Sequence, residues 1–111
     1  MGRKVFVDFD ETLTTGKGKA WWINPLDDYP DEEMIEKVNE LYKQGHTIIV
    51  YTARREEVRK ETKYYLNRWG VMHHALVMEK PGYDLLIDDR AISDEKALSM
   101  NPEEIRKYIH D

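Results

Sequence analysis

At 111 residues with 41% hydrophobic content, the chain is the size of one compact domain and too short for two independent cores, so a single domain spanning 1–111 is expected. The lack of cysteine excludes disulfides and thiolate metal centres and suits a reducing cytoplasm, and no run is long and apolar enough to span a membrane. A formal net charge of −5 disfavours non-specific attraction to nucleic acid or to an anionic membrane.

Met1 to Lys4 is basic in the manner of a signal peptide, but the apolar run behind it is broken at once by Asp8 and Asp10. Lys4-Val5-Phe6-Val7 reads instead as a β-strand covered on both faces that ends in the acid Asp8. From Leu13 to Pro30 turn formers replace any periodicity, which predicts a long loop carrying Trp21, Trp22 and Ile23. Pro30 and the acids Asp31, Glu32 and Glu33 then announce a helix start, with Met34, Ile35, Val38, Leu41 and Tyr42 as its apolar stripe and Gly45 as its stop. Thr47 to Thr52 is a β-branched run and the second strand.

A second helix is expected from about Arg55 to Trp69, stopped by Gly70. Its basic residues are interleaved with Glu56, Glu57 and Glu61, a pattern of helix-face pairing rather than a polyanion track. Ala75 to Met78 and Asp84 to Asp88 read as two more short strands, the last again ending in carboxylates. Asn101-Pro102-Glu103-Glu104 predicts a final helix with a reciprocal cap. Strands alternating with helices imply an α/β fold: a Rossmann-like three-layer sandwich around a parallel sheet.

In such a sheet, ligands bind beyond the carboxyl ends of the strands. Those ends carry Asp8, Thr52, Lys80 and the pair Asp88-Asp89. Carboxylates gathered there would repel one another unless a cation sat between them, and hard oxygen donors suit Mg²⁺. A phosphoryl group arriving at such an ion needs further partners for its oxygens, and Thr52 and Lys80 are of the right kind.

Asp8-Phe9-Asp10-Glu11-Thr12-Leu13, directly after an apolar strand, resembles the DxDxT signature of the haloacid dehalogenase superfamily. Thr52, Lys80 and Asp88-Asp89 follow in that family's order, and the Tyr51-Thr52-Ala53-Arg54 and Ile87-Asp88-Asp89-Arg90-Ala91 stretches look like small members without a cap, including capsule-biosynthesis phosphatases. The resemblance implies a phosphomonoester hydrolase in which Asp8 is the nucleophile and is transiently phosphorylated. It implies that Asp10 is the general acid and base, that Thr52 and Lys80 steady the phosphoryl group, and that Thr12 and Arg54 contact the substrate. Asp8, Asp10, Asp88 and Asp89 would hold Mg²⁺, with Asp88 or Asp89 as the direct ligand. Glu11 stands where the family often has glycine, so its side chain must turn away from the phosphate.

Neither place where such enzymes insert a cap has room for one, so an open site is expected, of the kind that accepts large substrates or borrows a lid, here from the Leu13 to Pro30 loop or from a second copy in a homo-oligomer; a sugar phosphate or another small phosphate ester is the expected substrate. The first alternative is a polynucleotide 3′-phosphatase, since Asn24-Pro25, the Ala53-Arg54 turn and Tyr64-Tyr65 also resemble the phosphatase half of polynucleotide kinases. The second is a non-catalytic phospho-receiver or binding module. A receiver would place its phosphorylated Asp on a middle strand and its Lys last, an order this chain does not have. His73-His74 is read as structural, because adjacent residues of an extended segment face opposite ways.

Overall fold

A computed structural model describes residues 2–108. Three strands, β1 (Lys4–Val7), β2 (Thr47–Tyr51) and β3 (Ala75–Val77), form one parallel sheet in the order β1-β2-β3. Four helices accompany it: α1 (Glu32–Lys43), α2 (Arg59–Arg68), α3 (Asp94–Leu98) and α4 (Pro102–Arg106). The result is the expected Rossmann-like α/β fold, with no cap domain among the described residues. No described helix is long and apolar enough to cross a membrane.

The register pairs Val5 with Ile48, Val7 with Val50, and Val50 with Leu76, so these side chains share one face of the sheet. Ile48 and Val50 are fully buried there and form the core with Phe9, Leu13, Leu66 and the α1 stripe. Burying each such side chain is worth about 1.5–3 kcal/mol. The apolar run of β1 was read as a strand covered on both faces. Phe6 is instead exposed and meets the Tyr51 ring edge to face, with ring centroids 5.5 Å apart. The reason is that the core lies on the opposite face of the sheet; Ala75 and Val77, which share the Phe6 face, are exposed as well.

Local signals explain the helices. Asp31 caps α1 by accepting the Met34 amide at 3.1 Å, a contact of about 1 kcal/mol, and Gly45 beyond it has φ 96°. Asn101 and Glu104 form the reciprocal capping box of α4. The second helix is shorter than read: a 3₁₀ turn, Glu56–Val58, precedes α2, and Gly70 stops it at φ 67°. The Lys37 ammonium donates to the carbonyls of Leu98 and Met100, tying α1 to the end of α3.

The strand expected at Asp84 to Asp88 does not form. Residues 81–91 are all exposed, and Ile87 is 89% exposed. An apolar run becomes a strand only when an edge accepts its backbone hydrogen bonds, and among the described residues no backbone to backbone bond ties residues 81–92 to a strand. Conversely, α3 was not expected; its cap is Ser93, which accepts the Lys96 amide at 3.1 Å.

Candidate active site

The turn after β1 is wound tightly on one carbonyl. The amides of Thr12, Leu13 and Thr14 all donate to the Phe9 carbonyl, at 3.3, 2.9 and 3.1 Å. Phe9 and Leu13 plug into the core, which leaves Asp8 and Asp10 on the accessible side. Glu11 takes φ 59°, a left-handed conformation that favours glycine, and its amide is held by Thr14 Oγ1 at 2.9 Å. The Glu11 side chain lies against Gly16, where a β-carbon would come within 2.9 Å of its Cγ. It therefore turns toward the loop and away from the strand ends.

Asp8 Oδ1 accepts the Phe9 amide at 2.8 Å and lies 3.3 Å from Lys80 Nζ. Burial pushes the Asp8 carboxyl above the usual carboxylate range; Lys80 and the Phe9 amide oppose that shift without cancelling it. Lys80 is aimed by its backbone. Its amide donates to the Thr52 carbonyl at 2.9 Å, the Glu79 amide donates to the Arg54 carbonyl at 2.8 Å, and Glu79 itself has φ 62°. The rings of Tyr51 and Tyr83 flank the ammonium at 5.5 and 5.9 Å.

Thr52 is fully buried at the end of β2, and its Oγ1 accepts the Arg54 amide at 3.2 Å. Arg54 was expected to reach the substrate, but the structure turns it inward, and it is also fully buried. Its Nε and Nη2 donate to Asp10, with Nε to Oδ2 at 3.0 Å and Nη2 to Oδ1 at 2.9 Å. Nη2 also donates to Asp28 Oδ2 at 2.6 Å, Nη1 donates to Thr62 Oγ1 at 3.2 Å, and the guanidinium sits 4.6 Å above the Phe9 ring. Burial works against the charge on Arg54, but its bonds to Asp10 and Asp28 outweigh burial and favour the charged form further. A buried cation between two carboxylates is the arrangement low dielectric requires. Thr12 is half-buried in the turn.

Asp28 escaped the sequence reading. Its side chain is 7% exposed, and burial pushes its carboxyl above the usual range against the pull of Arg54. It is delivered by the long loop, which is sewn shut where Thr15 donates to the Tyr29 carbonyl and Asp31 to the Leu13 carbonyl, each at 2.9 Å. Higher in that loop, Trp22, Ile23 and Leu26 stay exposed.

A cleft of about 960 Å³ runs along the free edge of β1 beside Asp8, bordered by Phe6, Tyr51, Lys80, Tyr83, Leu86 and Asp88. Asp88 lines it from the far side, its Oδ1 accepting the Arg90 amide at 2.8 Å, while Asp89 points to solvent 4.0 Å from Arg90. The structure thus brings together Asp8, Asp10, Thr52 and Lys80 but leaves the Asp88-Asp89 pair apart from them. Among the described residues no three of His, Cys, Asp or Glu gather closely enough to hold a metal ion. The donors are of the kind Mg²⁺ takes, but the set as placed does not fit a closed site.

No protein-family model matches the chain, and no curated protein does. Two solved structures share the fold. A structural-genomics target from Vibrio cholerae is 26% identical, with a TM-score of 0.79, over 96% of this chain and 95% of that one. A chain of the Pnkp1/Rnl/Hen1 complex is 20% identical, with a TM-score of 0.65, over 80% of this chain, which spans 31% of that longer one.

Proposed function

We propose that this chain is a phosphomonoester hydrolase of the haloacid dehalogenase type, dependent on Mg²⁺, with Asp8 as its nucleophile. The observation that supports this most is the Lys80 ammonium 3.3 Å from Asp8 Oδ1, beside Thr52, at the open mouth of a cleft. A carboxylate with one oxygen held by an ammonium and an amide is fixed for attack through the other. Asp8 Oδ2 bonds to phosphorus as the bond from phosphorus to the leaving oxygen breaks, and the Asp10 proton moves to that oxygen. Water then attacks the aspartyl phosphate, gives its proton to Asp10, and releases inorganic phosphate and free Asp8. Lys80 offsets charge on the transferring oxygens. The order of the acidic motifs implies Mg²⁺, which Asp8, Asp10, Asp88 and Asp89 would hold and which would offset charge on the phosphoryl oxygens.

The open cleft suits a sugar phosphate or a similar small ester. A polynucleotide 3′-end is the second reading, favoured by the fold likeness to a chain of the Pnkp1/Rnl/Hen1 complex. The test is hydrolysis of a panel of sugar phosphates, nucleotides and 3′-phosphorylated oligonucleotides with Mg²⁺, with a chelator, and with Asp8→Asn. Activity lost in Asp8→Asn and on chelation is the expected result, and the preferred substrate separates the two readings. Activity that survives Asp8→Asn overturns the assignment of the nucleophile.

A further inference from the structure

We infer that Asp28 is a positioning residue for Asp10, acting through the guanidinium of Arg54, so that the long loop supplies part of the proton-transfer machinery. The inference rests on the phosphatase reading of Asp8 and Asp10.

Arg54 is held from every side. Its planar fork meets both oxygens of Asp10, its Nη1 meets Thr62 Oγ1 at 3.2 Å, and its face covers Phe9. Thr62 is itself anchored, donating to the Val58 carbonyl at 2.9 Å. Asp28 takes the remaining side with the shortest contact of the group, 2.6 Å to Nη2.

Nη2 is also the atom that reaches Asp10 Oδ1, so Asp28 and Asp10 share one donor nitrogen. That sharing gives the fork a fixed tilt under Asp10. Asp10 needs it, because its side chain is 34% exposed at the rim of the site and nothing else described on that side grips its two oxygens. The loop fixes Asp28 in turn: Tyr65 Oη donates to the Leu26 carbonyl at 2.5 Å, Lys19 N donates to Asp27 Oδ2 at 3.1 Å, and the neighbouring Gly18 lies too close to the Asp27 carbonyl for any β-carbon. The Asp28 side chain is 7% exposed and does not line the cleft, so its effect is on orientation and not on contact with substrate.

A proton donor matters in proportion to how badly the leaving group needs the proton. An alkoxide cannot depart without one, while p-nitrophenolate can. The experiment compares kcat/KM for p-nitrophenyl phosphate with that for the best alkyl phosphate of the panel. This constant ends at formation of the aspartyl phosphate, and so it excludes the second step, which needs Asp10 as a base for both esters.

Misplacing a catalytic group by about 1 Å costs on the order of 100-fold. Asp28→Ala is therefore expected to lower kcat/KM for the alkyl ester by roughly 10- to 100-fold and for the aryl ester by less than about threefold. Asp28→Asn, which keeps shape and an acceptor, is expected to restore part of the alkyl rate and serves as the test should the alanine variant not fold. Asp10→Asn should show the same split more strongly. An equal fall on both esters in the Asp28 variants overturns the inference and leaves the phosphatase reading standing, provided Asp8→Asn abolishes both activities. A wild-type protein inert toward every ester, or an active Asp8→Asn, removes the reading and the inference with it.

Discussion

Two loops that leave the sheet on the same side carry similar residues and reach opposite states. From Asp8 to Thr14 three acids, two threonines and two apolar residues close on a single carbonyl, and Phe9 and Leu13 are buried without remainder. Between Pro81 and Ile92 three acids and the apolar run Leu85-Leu86-Ile87 stay in solvent. Hydrophobic content does not explain the difference. The first loop finds a core directly beneath it, with Phe9 stacked on Trp69 at 6.0 Å, and a buried cation, Arg54, to receive Asp10. The second lies beside the unpaired edge of β1, separated from it by the cleft. Half of the candidate site is thus built by packing, and the other half is only carried alongside it.

The sharpest contrast is expected in amide hydrogen exchange. The Leu13 and Thr14 amides, bonded under the core to Phe9, should open only with the whole domain, giving protection on the order of 10³ or more. The amides of Leu85, Leu86 and Ile87 should exchange close to the rate of an unstructured peptide. Repeating the measurement with Mg²⁺ would sharpen the comparison: new protection confined to residues 84–89 is what an ion gathering Asp88 toward Asp8 would produce.

Next in size is Arg54→Ala. It strands Asp28 without its partner and empties the space over Phe9, so a loss of about 3–5 kcal/mol in chemical denaturation is expected. A loss below 1 kcal/mol would mean that the Asp10-Arg54-Asp28 cluster is solvated rather than buried, and the built half of the site would lose its main distinction.

Arg54 also shows where sequence reasoning stops. Its place after the second strand was legible, and the direction of its side chain was not, because Asp28 and Thr62 meet it from 26 and 8 residues away through the fold. Asp8, Thr52 and Lys80 were legible as strand-end residues because apolar runs mark strands whatever their partners. The same logic misread Asp84 to Asp88, since periodicity says nothing about whether an edge is on offer. Asp31, Gly45 and the Asn101 box were readable because caps act over three or four residues. Helix α3 had a readable cap in Ser93 with Asp94 and Glu95 behind it, but only five residues of helix to support it.

A smaller effect is expected at Glu11, where the built loop carries strain. Its φ of 59° disfavours any side chain, while its amide bond to Thr14 keeps the conformation in place. Glu11→Gly should relieve that strain and raise stability by roughly 0.5–1 kcal/mol, less than the full strain because glycine also frees the unfolded chain. A destabilised variant would mean that the contact of the Glu11 side chain with Gly16 outweighs the backbone term.

The smallest effect tests the other loop. Ile87 is 89% exposed, so Ile87→Ser should change stability by no more than about 0.5 kcal/mol, the range of ordinary surface substitutions. Burial of an isoleucine is worth about 1.5–3 kcal/mol, so the two states are well separated on any denaturation curve. A loss of that larger size would show that Ile87 is covered in solution, and the exposed Phe6 side of β1 is an apolar surface able to cover it. Measured with and without Mg²⁺, the same substitution distinguishes a segment that is always packed from one that packs only when the acidic residues beside it have a cation to share.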